Sequence, residues 1–208
     1  MTKKLQLAAW GLSVVVSTVS FIAWRQGIRW QFNDVSSYKL FLLSGLLAFS
    51  LMWAYYMVVA IRKYLGIEGK HIKKYFTWTS YAVLLFILLH PGLLIWQLWR
   101  DGFGLPPDSY LRNYIPANAA WAAFLGSVSL LIFLAFEFHR IFGHKSWWKY
   151  VQYLSDVAMF LIFVHALRLG SQLRPEWFRV VWFLYGISLA ITLVYIYTGN
   201  NQRKLTEE

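Results

Sequence analysis

The sequence predicts an all-α integral membrane protein, a six-transmembrane-helix bundle with both termini cytoplasmic. Three observations carry that expectation. Apolar residues make up 59% of the 208 and charged residues only 14%, with a mean hydropathy of +0.47; a soluble domain is nearer half apolar and a quarter charged. Apolar runs of about 20 residues recur along the chain, each long enough to cross a hydrocarbon core of ~30 Å at ~1.5 Å per residue. The segments between the runs are polar, basic, or rich in Gly and Pro, as they must be where irregular backbone has to stay out of lipid.

The net charge of +11 would suggest nucleic acid on a soluble protein. Here the basic residues gather at the ends of apolar runs, so they fit membrane topology and anionic lipid heads better. The expected partner is a lipid bilayer, not nucleic acid. The chain has no cysteine, which excludes disulfides, thiolate metal sites, iron–sulfur clusters and c-type haem attachment.

Residues 1–208 are read as one transmembrane domain with spans at about 6–24, 39–61, 75–98, 117–138, 149–168 and 178–197. The first follows Lys3 and Lys4, and no A-x-A-like site follows it, so it reads as an uncleaved helix and not a signal peptide. The second ends at the basic segment "IRKYLGIEGKHIKK". The third contains "LLFILLHPGLLIW", and after it comes the longest loop, "RDGFGLPPDSYLRNYIPANAA". The fourth and fifth flank "HRIFGHKSWWK". After the sixth, only a short polar tail follows.

With the N-terminus inside, inner segments hold twelve Lys and Arg and outer segments eight. That bias favours cytoplasmic termini in a multi-pass protein of the cell membrane. Aromatic residues are 20% of the chain. Trp24, Trp30, Trp96, Trp99, Trp147 and Trp148 stand near span ends and read as an interfacial belt.

Of five histidines, His71, His139 and His144 lie at inner span ends and read as solvated. His90 and His165 lie inside apolar runs, where an ionisable group is costly and marks a functional candidate. One such histidine is readily satisfied by a neighbouring helix. Two are harder to dismiss, because their depths agree. His90 is 15 residues above Tyr75 and His165 is 16 above Lys149, or about 22 and 24 Å by helix rise. Both imidazoles then reach one level in the outer half of the bilayer. If spans three and five face each other, they can hold a metal-centred planar group between them. Haem b suits two neutral imidazoles, whereas a bare zinc site needs more ligands. Pro91 removes a helix bond and is expected to bend the third span.

Arg168 follows His165 by three residues on roughly the same face, toward the outer surface, and pairs well with a carboxylate such as a haem propionate. Snorkelling to the interface is the plainer alternative. Arg100 and Arg112 flank the outer loop. Asp156, the acid well inside a span, reads either as a proton carrier toward a quinone or as the partner of a basic group on another helix. There is no dinucleotide fingerprint, P-loop or nucleophile elbow.

"HIKKYFTWTSYAVLLFILLHP", followed by "LPPDSYLRNYI" and "HKSWWKYVQYLSDVAMFLIFVHALRLG", resembles the ferric reductase-like transmembrane domain over about residues 40–170. That superfamily includes ferric reductases, NADPH oxidases and the haem subunit of the periplasmic methionine sulfoxide reductase system. The resemblance implies haem-ligating histidines on helices three and five. It also implies an oxidoreductase or the membrane subunit of one. The family's inner haem ligands would fall at Phe76 or Thr77 and at Val151 or Gln152. None is histidine, so one haem is expected, as in the similar six-helix metalloreductases. No flavin and nicotinamide domain follows the sixth span, so the expected donor is a separate electron-donor protein, a quinol or a bound flavin. Trp78, Tyr81 or Tyr153 are weaker candidates for a relay.

The function expected is therefore membrane electron transfer through one haem b, held by His90 and His165, toward an outer-side acceptor. The alternative is a non-redox transport or scaffold protein with structural histidines.

Overall fold

The computed structural model describes residues 2–28, 36–138, 142–173 and 176–205. Every regular element in them is helical. The helices are α1 (Thr2–Gly27), α2 (Ser37–Tyr64), α3 (Lys73–Arg100), the short α4 (Asp108–Asn113), α5 (Ala120–Glu137), α6 (Trp148–Leu169) and α7 (Glu176–Leu205). Six segments are long and apolar enough to cross a membrane: Thr2–Gly27, Ser37–Tyr64, Gly69–Arg100, Ala117–Glu137, Trp148–Leu169 and Glu176–Thr198. The chain is a multi-pass membrane protein. Most of the helices overrun the apolar spans at their ends, because helix hydrogen bonding continues into the polar interface where hydropathy has already fallen.

Two of the turns are legible in residue chemistry. "RKYLGI" ends α2 with Gly66 at φ +64°, and Ile67 N–H reaches back to Arg62 O at 3.1 Å. "LWRDGF" ends α3 the same way, with Gly102 at φ +78° and Phe103 N–H on Leu98 O at 3.0 Å. Only glycine takes that left-handed backbone cheaply, and the long reverse bond satisfies a carbonyl at the helix end. At the start of α2, Ser36 accepts a hydrogen bond from Lys39 N–H at 3.3 Å.

The main core lies among α1, α2, α6 and α7. Trp182 is buried and stacks on Phe49 at 4.3 Å, while Trp53 stacks on Tyr185 at 4.4 Å and donates to Ser188 Oγ at 2.9 Å. Ser20–Ser50 (2.8 Å) and Ser13–Tyr75 (3.0 Å) join α1 to α2 and α3. Each such interhelical bond contributes roughly 0.6 kcal/mol in a bilayer.

The packing is uneven. α3 rests chiefly on α2, and α5 chiefly on α6, so the two form helical hairpins; α3 packs little on either α5 or α6. The exposed residues of α3 include Trp78, Tyr81, Leu85, Leu88 and Trp99. At 100° per residue they centre on the face opposite His90, so His90 looks into the bundle.

The expected aromatic belt divides. Trp96, Trp99 and Trp147 are exposed, but Trp24 and Trp148 are buried. Trp24 Nε1–H donates to Lys39 O at 2.7 Å, which makes it a tie between α1 and α2. Trp30 lies outside the described residues. So does His139, while His71 and His144 are exposed. α3 runs as one helix through Pro91.

Candidate functional site

His90 and His165 are brought together. Their ring centroids are 6.5 Å apart, with the ring planes at 81°. Lys73 to His90 and Trp148 to His165 are both steps of 17 residues, about 25 Å from the N-terminal ends of α3 and α6.

Each imidazole is held by the neighbouring helix of its own hairpin. His90 Nδ1 is 2.9 Å from Phe41 O on α2, and His165 Nδ1 is 2.8 Å from Ala122 O on α5. A carbonyl only accepts, so Nδ1 must be the protonated nitrogen in both rings. In a neutral imidazole this leaves Nε2 with its lone pair, across the ring and turned away from the supporting helix. A backbone carbonyl on Nδ1 is the usual way of fixing the tautomer of a metal-binding histidine.

One helical turn beyond each carbonyl stands a glycine. A Cβ at Gly45 would lie 2.6 Å from His90 Nδ1, and a Cβ at Gly126 would lie 2.6 Å from His165 Nδ1. The two glycines give the imidazoles room to lie against α2 and α5. Phe41 also stacks on His90, with centroids 4.2 Å apart and planes at 18°.

The 6.5 Å centroid separation is compatible with one metal between the two rings. A metal–imidazole nitrogen bond is about 2.0–2.1 Å and the nitrogen lies roughly 1.2 Å from its ring centroid, so opposed ligands have centroids about 6.4–6.6 Å apart. Among the described residues, no group of three or more His, Cys, Asp or Glu is placed to hold a metal. A metal held by these two side chains alone would have to bring further ligands with it, as a haem would.

Arg168 is exposed at the C-terminal end of α6 and, with Arg179 and Gly170, lines a cavity of about 220 Å³. Arg100 and Arg112 already have acids beside them: Arg100 is 3.3 Å from Asp101, and Arg112 is 3.2 Å from Asp108. Asp101 also accepts from Gln97 Nε2 at 2.6 Å and from Tyr114 OH at 3.4 Å. The Gln97 bond leads in holding the Asp101 carboxyl below its usual range, while burial and then Asp101 push the Tyr114 phenol up. Of the relay candidates, Trp78 and Tyr81 lie on the face away from His90, and Tyr153 packs beside Tyr197.

A family model described as "Predicted membrane protein (DUF2127)" matches residues 117–167. No curated protein and no solved structure matches the chain. The match overturns the ferric reductase-like resemblance. It covers most of the segment around His165 on which that resemblance leaned, and assigns its likeness to a different family. Aromatic-rich apolar helices with a histidine are too loose a pattern to name a superfamily. The supporting carbonyls and glycines also went unread in the sequence; their one signal is a lone glycine at mid-span, one turn from a residue of any type.

Proposed function

We propose that the protein is a membrane electron carrier in which His90 and His165 would hold one haem b between α3 and α6. The observation that carries this is the pair of imidazoles, 6.5 Å apart, each with Nδ1 on a backbone carbonyl and Nε2 free. The haem would supply one-electron chemistry. The chain's own residues hold and orient: Phe41 O and Ala122 O fix the tautomers, Gly45 and Gly126 make room, and Phe41 packs against one ring. Arg168 stands where a haem carboxylate would find a cation toward the outer surface. The depth of the pair supports an outer-side acceptor, with a separate donor protein, a flavin or a quinol on the other side.

The test is optical. The protein is expressed with haem supplied, purified in detergent, and scanned oxidised and dithionite-reduced. A Soret band that shifts on reduction, sharpened α and β bands, and one haem per chain by pyridine haemochrome are expected. A folded, haem-supplied protein that stays colourless would overturn the proposal and bring the non-redox transport or scaffold reading forward.

A further inference from the structure

Asp156 lies on α6 nine residues before His165, about 13 Å along the helix. Its carboxylate is shared by phenols from two other helices. Tyr56 of α2 donates to Oδ1 at 2.6 Å, and Tyr197 of α7 donates to Oδ2. The two tyrosines differ in surroundings. Tyr56 is half-buried, whereas Tyr197 is 39% exposed and lies 5.4 Å, centroid to centroid, from the more exposed Tyr153. The cluster is thus closed toward α2 and open to lipid between α6 and α7.

We infer that this cluster binds the head group of a membrane quinol, whose phenolic O–H takes the place of Tyr197 on Asp156. The two tyrosines show which donor this carboxylate accepts, and a hydroquinone is a ring carrying two such donors. Tyr153 and Tyr197 offer a flat ring aromatic surface at the opening. The tail of a quinol stays in lipid. The role of the site as the berth of an electron donor rests on the haem reading, and shortens the donor's reach from about 25 Å to about 13 Å. The binding itself does not rest on it.

The experiment measures equilibrium binding of a radiolabelled short-tailed naphthoquinol, pre-reduced and kept under argon, to the protein in phosphatidylcholine nanodiscs, corrected against empty discs. One saturable site per chain is expected. Asp156→Asn should weaken it about tenfold or more, as for a lost bond to a charged acceptor. Tyr197→Phe should leave it unchanged or tighter, because the incoming phenol displaces that bond. Absence of saturable binding, or equal binding by a folded Asp156→Asn, overturns the inference. If Asp156→Asn does not fold, Tyr197→Phe decides, and weaker binding there overturns it too. Loss of the site in phosphatidylethanolamine discs would hand the carboxylate to an ammonium lipid head. The His90→Ala, His165→Ala double variant should still bind the quinol. A colourless protein that binds it would sink the haem reading alone, and a red one that does not would sink this inference alone.

Discussion

The α2–α3 hairpin and the α5–α6 hairpin build the same device from unlike sequences. In each, the first helix supplies a carbonyl and, four residues later, a glycine; the second helix supplies the histidine. The residues are Phe41, Gly45 and His90 in one, and Ala122, Gly126 and His165 in the other. The difference lies around the ring. His90 is stacked on Phe41 and followed by Pro91, while Ala122 offers no such surface. The common part is what a neutral, oriented imidazole requires; the rest is local packing. A site of this kind is recognised by groups and offsets, not by a stretch of similar letters.

The comparison can be broken most sharply at the histidines. His90→Ala and His165→Ala are each expected to abolish bound haem in the purified protein. Full haem retention by either variant would show that the two hairpins are not equal partners. The glycines come next. Gly45→Ala and Gly126→Ala both drive a methyl into an imidazole, and overpacking of this kind costs about 1–3 kcal/mol. Because Phe41 leaves His90 less freedom to move aside, Gly45→Ala should lower the melting temperature and haem content more than Gly126→Ala. The reverse order, read by thermal melts and haem-to-protein ratio, would deny Phe41 that confining role. Phe41→Leu removes the stack, worth about 0.5–1.5 kcal/mol, and should move the His90 half toward its partner in behaviour; a change in the melting temperature of Gly45→Ala relative to Gly126→Ala, measured in the Phe41→Leu background, reports it.

The smallest effect belongs to the C-terminal end of α3, where Asp101 gathers Gln97, Arg100 and Tyr114. The Asp101 carboxyl is held low, so its bonds to Gln97, Arg100 and Tyr114 stabilise the folded loop above the ordinary carboxylate range. That contribution is lost as pH falls through the depressed folded value. Asp101→Asn should flatten the acid limb of the stability profile, and an unchanged limb would place the acid sensitivity elsewhere.

Hydropathy alone was enough to read six spans, because a hydrocarbon core imposes length and composition directly on the chain. The shared depth of His90 and His165 was legible for the same reason: helix rise converts residue number into height. The lateral arrangement was not. Which helix meets which is set by side-chain packing, so Phe41 O, Ala122 O and the two glycines carried no mark. Asp156 stands out in the sequence as a lone intramembrane acid, a proton carrier or the partner of a basic group, and nothing in its spacing names its partners. They proved to be Tyr56 and Tyr197, 100 and 41 residues away. Trp24 and Trp148 were read as belt residues from their position near span ends, and packing took both inside.

The weak packing of α3 on α5 and α6 has a consequence for biogenesis. Two helical hairpins can enter the membrane one after the other and dock through α2 and α6, as two-stage assembly allows, leaving α3 to meet α6 last. A group that ties His90 to His165 would then arrive last and act as the latch between them. By mass action it would stabilise the joined form over the parted one, so protein made while haem is scarce should show the α4 loop to proteases sooner than protein made with haem in supply.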